Sequence, residues 1–476
     1  MEGLFRRKPL AGNGEGNPHE TVHGLKRVLS ALDLTLLGIG AIIGTGIFVL
    51  TGHAAAVQSG PAVIVSYLVA GFACAFAALA YAELAAMVGG CGSAYGYSYA
   101  AFGELIAWII GWDLILEYGV SVAAVANGWS GYFNDALTAI GIGLPEAFTK
   151  GPFADGGGGI VNLPAVIIIM ILMALLIIGV KETARINAAA VSIKLLAVAV
   201  FIAVAAFNVD PMNWSPFMPH GWFGYSDGRP VGILAGASIV FFAYVGFDAV
   251  STAVEEARDP QRDVPLGIMA ALAFCTTVYV IVSALMTGVV PYTTLNVSSP
   301  ASEALLQIGH STAAGLVASG VIFGLTTVML VLYYGLTRIV VAISRDGLIP
   351  SYFAAVNPHT HTPVRTTVLT GAAMAIMAGF LPLGVLAELV NIGTLAAFVL
   401  VCGGVIILRR SHPDLHRPFK MPFGELSAAI GAISCAALIA FLPWETHVRF
   451  VAWLLVGILI YFGYSKRHSK LAQQPA

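Results

Sequence analysis

Three ionisable side chains stand deep inside long apolar stretches of this chain. Lys194 lies in Asn187-Ala188-Ala189-Ala190-Val191-Ser192-Ile193-Lys194-Leu195, and Asp248 lies in Val245-Gly246-Phe247-Asp248. Glu117 follows Asp113 by four residues and precedes Ser121 by four, which puts all three on one helix face. A charged side chain at the centre of a membrane helix costs at least about 2.5–3.5 kcal/mol, so each is a candidate functional group for holding a cation or moving a proton. Snorkelling does not rescue Lys194, because roughly 15 Å of helix separates it from either interface. Asp248 also reads as the cap of a helix that starts after a break. Glu83 and Glu388 lie nearer the ends of their stretches and read as structural.

A second kind of chemistry needs only backbone. Gly38-Ile39-Gly40-Ala41-Ile42-Ile43-Gly44-Thr45-Gly46-Ile47-Phe48 places four glycines within nine residues of an apolar stretch. Each glycine costs a helix interior about 1 kcal/mol relative to alanine. The spacing is not that of a dinucleotide loop, and no strand precedes it. Close helix packing through Gly40-x-x-x-Gly44 is one reading. The stronger one is a broken helix whose bared N–H and C=O groups hold a ligand at the midplane, since such backbone survives there only when buried or lining a cavity. Glu117 could then orient the broken backbone, pair with Lys194 or meet a cationic side chain of the ligand.

The elements that must carry these groups follow from composition. The chain has 476 residues, 58% hydrophobic and 10% charged, against about 25% charged in soluble domains. Apolar stretches of bilayer length fall near 31–52, 60–88, 104–138, 162–179, 184–207, 231–256, 265–290, 313–343, 364–380, 384–409, 424–443 and 447–464. Twelve spans put both termini on one face. Nineteen of the 23 lysines and arginines fall on that face and three on the other, which predicts cytoplasmic termini. The polar, basic first thirty residues lack the apolar core of a signal peptide. Cys74, Cys91, Cys275, Cys402 and Cys435 have no metal-ligand or disulfide spacing and read as small buried residues. Gly156-Gly157-Gly158-Gly159 reads as a flexible linker, and Trp214 and Trp222 as interface anchors.

The sixth span repeats the device of the first. It runs Ser238-Ile239-Val240-Phe241-Phe242-Ala243-Tyr244-Val245-Gly246-Phe247-Asp248-Ala249-Val250-Ser251-Thr252, with glycine and aspartate at mid-span. Interrupted spans five apart point to two five-span halves of opposite topology, the pattern of an inverted-repeat transporter. A channel would want rings of charge or carbonyls in repeated subunits. An embedded enzyme would want a nucleophile or acid–base constellation, and most histidines lie in tails and loops. No catalytic module, cofactor, metal site or nucleic-acid patch is expected.

Several motifs together resemble the amino acid–polyamine–organocation superfamily. They are the opening glycine run, Gly92-Ser93-Ala94-Tyr95 with Phe102-Gly103-Glu104-Leu105, Phe247-Asp248 with Glu255-Glu256, Asp259-Pro260-Gln261-Arg262-Asp263-Val264-Pro265, and Ser344-Arg345-Asp346-Gly347-Leu348-Ile349-Pro350. The resemblance runs over about residues 25–465 and is to a bacterial form of the cationic amino acid transporter branch.

It implies an all-α leucine-transporter fold: a tail (1–30), a first repeat (31–207), an extracellular loop (208–230), a second repeat (231–409), two added spans (410–464) and a tail (465–476). It also implies import of an L-amino acid by alternating access across the plasma membrane. The substrate carboxylate would meet Ile43, Gly44, Thr45 and Gly46 at a half-helix N-terminus, which attracts anions. The ammonium would meet carbonyls from Phe241 to Tyr244, and Phe242 would be the lid. Leu332 and Tyr333 would lie beside the substrate side chain, small neutral or cationic. In proton-coupled relatives a lysine on span five occupies the place of a sodium ion, and Lys194 matches it. Thr326 and Thr327 match the hydroxyl side of that site, with Glu117 nearby. Proton symport is therefore expected, with proton-independent exchange as its rival. The lipid bilayer is the remaining expected partner; a small membrane partner is not identified by the sequence. Leucine at Gly44 or Gly46 would fill the carboxylate space and is expected to abolish binding in a folded protein.

Overall fold

The computed structural model describes residue 6 and residues 29–88, 94–154, 157–179, 184–226, 228–248, 250, 257–360, 362–415 and 417–473. Most of the N-terminal tail, Cys91, Gly92, Ser93, Gly156, Ala249, Ser251, Thr252, Glu255 and Glu256 lie outside the described residues. The protein is helical apart from a two-stranded hairpin, Gly224–Ser226 with Arg229–Val231, among the described residues.

Twelve apolar segments follow the expected order. Span one is Ala31–Ile42, resumed after a break by Gly46–Leu50, Thr51–Ala54 and Ala55–Ser59. Spans two to five are Val63–Val88, Glu104–Ala139, Leu163–Ile178 and Ala184–Ala205. Span six is Ile233–Val240 with a 3-10 turn, Phe241–Tyr244. Spans seven to twelve are Pro260–Val289, Ser311–Arg345, Val364–Phe380, Leu383–Ser411, Glu425–Ala440 and Trp444–Ile460. Two further helices, Ala94–Phe102 and Pro300–Gln307, lie between spans two and three and between seven and eight. The start of span one is set locally. Ser30 and Asp33 form a reciprocal capping box that satisfies the first backbone donors.

The packing has an internal symmetry. Span two packs on seven, three on eight and four on nine; one on seven mirrors six on two, and five on eight mirrors ten on three. Adding five to each span number returns the same set of pairs, as two five-span repeats require. Because each repeat has an odd number of spans, the two run through the membrane in opposite senses. Span eleven packs on spans ten and two. Span twelve is tied to span three by Trp112 stacked on Trp453 at 4.3 Å and by Trp108 Nε1 donating to Gly457 O at 2.8 Å.

Glu83, 1% exposed near the end of span two, joins three segments. It accepts from Arg409 Nε and Nη2 at 2.9 and 2.6 Å and from the Met421 N–H at 2.7 Å, with Arg417 Nε 3.7 Å away. Removing one partner of a buried ion pair costs about 3–5 kcal/mol, because the remaining charge stays buried. Glu83→Ala is expected to lose stability on that scale. A thermal melt in detergent should show a lowered midpoint, with ligand affinity of the folded fraction unchanged.

Candidate functional site: two facing helix breaks

Span one stops because Ile43 turns extended (φ −73°, ψ 103°), and helix resumes at Gly46. Span six stops where Val245 turns extended (ψ 134°) and Gly246 adopts φ +107°. That left-handed conformation favours glycine, and a Cβ there would also lie 3.1 Å from Ala41 O. The two breaks touch. A Cβ on Gly46 would sit 2.3 Å from Ala243 Cα, so the second half of span one lies directly against the 3-10 turn of span six.

Each break leaves carbonyls without helical donors, and neighbouring side chains supply them. Lys194 Nζ donates to Gly40 O at 2.6 Å. Tyr279, on span seven, places its hydroxyl 3.0 Å from Ile42 O and 2.8 Å from Ala243 O, bridging both breaks. Asn391, on span ten, donates through Nδ2 to Ser238 O and Ile239 O at 2.7 and 3.0 Å. Thr51 and Tyr132 hydroxyls serve Ile47 O and Phe48 O, at 2.7 and 2.9 Å. Sequence pattern does not single out Tyr279 or Asn391. A buried tyrosine looks like core, although an asparagine amid Val390, Ile392 and Leu395 is itself a signal that something polar must be met.

Between the breaks lies a cavity of about 20 Å³, room for a single water. Its lining is Ala41, Ile42, Gly44, Thr45, Gly46, Ser121, Val125, Phe242, Val245, Val328 and Leu332. Thr45 Oγ1 and Ser121 Oγ meet no hydrogen-bond partner among the described residues. Of the candidate substrate residues, Gly44, Thr45, Gly46, Phe242 and Leu332 reach the cavity. Ile43, Phe241, Tyr244 and Tyr333 are not among its lining. Ile43 and Phe241 are fully buried beside it. The Tyr244 hydroxyl donates to Tyr67 O at 2.8 Å and that of Tyr333 to Thr367 O at 2.5 Å, so both hydroxyls serve helix packing. The two glycines also differ. Gly46 has no room for any side chain, whereas a Cβ on Gly44 would meet Val328 at 3.8 Å and Ile42 O at 4.0 Å, ordinary contact distances.

Lys194 is 3% exposed. Its stem lies over Gly324 of span eight, where a Cβ would come within 2.7 Å of Lys194 Cγ. Gly320 is equally close to Ala197, so two glycines admit span five onto span eight. Thr326 and Thr327 sit just beyond. Their hydroxyls donate to Ile322 O and Gly324 O on their own helix, both at 2.8 Å, and Thr326 accepts from Trp129 Nε1 at 3.0 Å. The lysine thus joins spans one, five and eight through a carbonyl and a bare glycine. Glu117, 3% exposed, lies within electrostatic reach of Asp113 and Asp248. Asp113 faces Gly393 of span ten so closely that a Cβ on that glycine would lie 2.7 Å from Asp113 Oδ1. The Tyr118 hydroxyl donates to Asp248 Oδ2 at 3.3 Å. Spans three and six therefore bring three carboxyls within reach of one another, with Asp113 against span ten.

Comparison with known proteins gives this geometry a family. The family model described as amino acid permease matches residues 29–464. The chain is 51% identical over 477 residues to the branched-chain amino acid permease BcaP of Bacillus subtilis, covering 99% of both chains. It is 47% identical over 471 residues to the methylthioribose transporter of the same organism, covering 99% of this chain and all of that one. It is 38% identical over 415 residues to the vacuolar cationic amino acid transporter 4 of Arabidopsis thaliana, covering 87% of this chain and 68% of the relative. These relatives are transporters rather than enzymes, and two facing helix breaks around a small cavity suit a transporter's binding site. The chain belongs to the amino acid permease family of the amino acid–polyamine–organocation superfamily.

Proposed function

We propose that this permease imports a neutral aliphatic L-amino acid across the plasma membrane by proton-coupled alternating access, with both termini in the cytoplasm. Residues 31–207 and 231–409 would be its two repeats. The observation that carries the reading is the cavity itself, which lies between two helix breaks and has no charged side chain in its lining. N–H groups at the start of Gly46–Leu50 suit a carboxylate, and the carbonyls of the span-six break suit an ammonium. Val125, Val245, Val328 and Leu332 offer an apolar wall to the substrate side chain. The relative named a branched-chain amino acid permease supports this choice. Glu117, with Asp113 and Asp248 close by, favours a cationic side chain as the second reading.

Lys194 is assigned the coupling role because its ammonium holds Gly40 O while its stem rests on span eight. Charged, it clamps the first half of span one to spans five and eight. Neutral, it has a weaker hold, and the bundle of spans one and six is freer to move. A proton then biases one conformation over another, as any ligand with differential affinity does.

Three outcomes are expected. In a thermal-shift screen of all twenty amino acids, aliphatic neutral ones raise the midpoint and their amides do not. Saturation at 100 times Kd adds about 2.7 kcal/mol. A shift confined to arginine and lysine selects the cationic reading instead. Gly44→Ala should remain folded and weaken binding, since the cavity admits a methyl group but little more; Gly46→Leu should be poorly folded, because Ala243 leaves it no space. Unchanged affinity in folded Gly44→Ala would remove this glycine from the site. Finally, Lys194→Ala and Lys194→Gln in proteoliposomes should lose accumulation driven by an inward proton gradient while keeping exchange. Concentrative uptake by folded Lys194→Ala would assign coupling elsewhere, and sodium-driven uptake by wild type would overturn the proton reading.

A further inference from the structure

The segment after span twelve folds back onto the protein. Span twelve continues through a π-helical turn, Tyr461–Ser465, into two short helices, Lys466–His468 and Lys470–Gln473. Tyr461, Ser465 and Ser469 are fully buried, and Leu471 packs against the core. The segment meets the ends of two spans that correspond in the two repeats. At the start of span three, Glu104 accepts from the Tyr461 and Ser469 hydroxyls at 3.1 and 2.5 Å. Just past span eight, Asp346 O accepts from the Lys470 N–H at 3.0 Å and Leu348 O from the Ser465 hydroxyl at 2.6 Å. Between them a Cβ on Gly347 would lie 2.3 Å from His468 O, so the two stretches touch backbone to backbone.

The same two acids also hold the helix Ala94–Phe102. The Tyr99 hydroxyl donates to Glu104 Oε2 at 3.2 Å, and the Tyr95 hydroxyl to Asp346 Oδ2 at 2.6 Å. That helix lies between span two and span three in the chain. Span two is bonded to the broken spans. The Tyr67 hydroxyl lies 2.7 Å from Thr51 Oγ1 and donates to Gly46 O at 3.3 Å, and Tyr244 donates to Tyr67 O at 2.8 Å. Span three instead packs on span eight. The helix Ala94–Phe102 therefore lies in the chain connection between the unit that holds the breaks and the wall it packs on. The segment after span twelve shares both anchors of that connection.

We propose that residues 461–473 form a strap on the membrane face where span three starts and span eight ends, cytoplasmic in the proposed orientation, and that the cavity opens to that face only when the strap lets go. The strap rests on the alternating-access reading above. In the strapped form the cavity has room for about one water, so the protein must leave this form to take up or release an amino acid. Opening swings spans one, two and six away from span three, and the helix Ala94–Phe102 has to pivot with span two. Glu104 and Asp346 resist that pivot while the strap is seated. Hydroxyl donors suit a reversible hold, because each bond can be exchanged for one to water when the segment lifts.

The test measures hydrogen exchange by mass spectrometry on the full chain in nanodiscs, beside counterflow of L-leucine and of L-arginine in proteoliposomes. Ser469→Ala removes one hydrogen bond to Glu104 and leaves the cavity lining intact. Amides of residues 94–102 and 466–473 are expected to exchange about tenfold faster, the ratio that loss of one hydrogen bond to a charged group gives. Those of span seven should not change. Counterflow should quicken with KM unaltered. Tyr95→Phe frees the helix from Asp346 and should do the same; it decides alone should Ser469→Ala not fold. Unchanged exchange of residues 94–102 in a folded variant overturns the strap. So does slower counterflow with a lowered melting midpoint, the result of a purely structural contact. A wild type that carries neither amino acid fails the permease reading and the strap with it, whereas wild-type counterflow beside an unresponsive variant fails the strap alone.

Discussion

A backbone carbonyl with no helical donor cannot turn to water inside a bilayer, and this governs the architecture of the protein. Two helices are broken at mid-depth, and their ends expose several such groups. Lys194, Tyr279 and Asn391 answer them from spans five, seven and ten. None of the three is on the helix it serves. The breaks therefore exist only while the surrounding spans are in place, and the surrounding spans are fixed in register by the groups they must reach.

This dependence gives the breaks a use. Tyr279 binds one carbonyl from each break, so it links spans one and six as a single unit. Gly46 against Ala243 sets that unit's closest approach, with no space between backbone and backbone. The cavity that remains holds about one water. Admission of an amino acid then requires spans one and six to part from the wall formed by Val125, Val328 and Leu332, as motion between a bundle and a scaffold would allow. Lys194 spans that boundary, with its ammonium on the bundle and its stem against the scaffold.

The rest of the molecule keeps the scaffold firm. Glu83 ties span two to the end of span ten and the segment after it. Glu104, fully buried, takes hydroxyl donors from Tyr99, Tyr461 and Ser469, and so joins the start of span three to the end of the chain. Buried carboxylates are tolerated here because each has several donors, and a partly satisfied one would cost stability.

Hydropathy and glycine placement in the sequence determined the number of spans, the two broken helices and the two-fold repeat. These are legible because a bilayer imposes length on every span and because glycine and mid-membrane charge are rare there without cause. Lys194 was legible for the same reason. What only the tertiary structure decided is which groups meet. Tyr279 and Asn391 look like core until the carbonyls they serve are seen. Tyr244 and Tyr333 look like pocket residues until their hydroxyls are found on packing helices. Gly44 and Gly46 read alike in sequence, yet a side chain on one would meet Val328 at ordinary contact distance and on the other would collide with Ala243. Partners of this kind lie on other spans, often more than a hundred residues away, and local pattern carries no record of them.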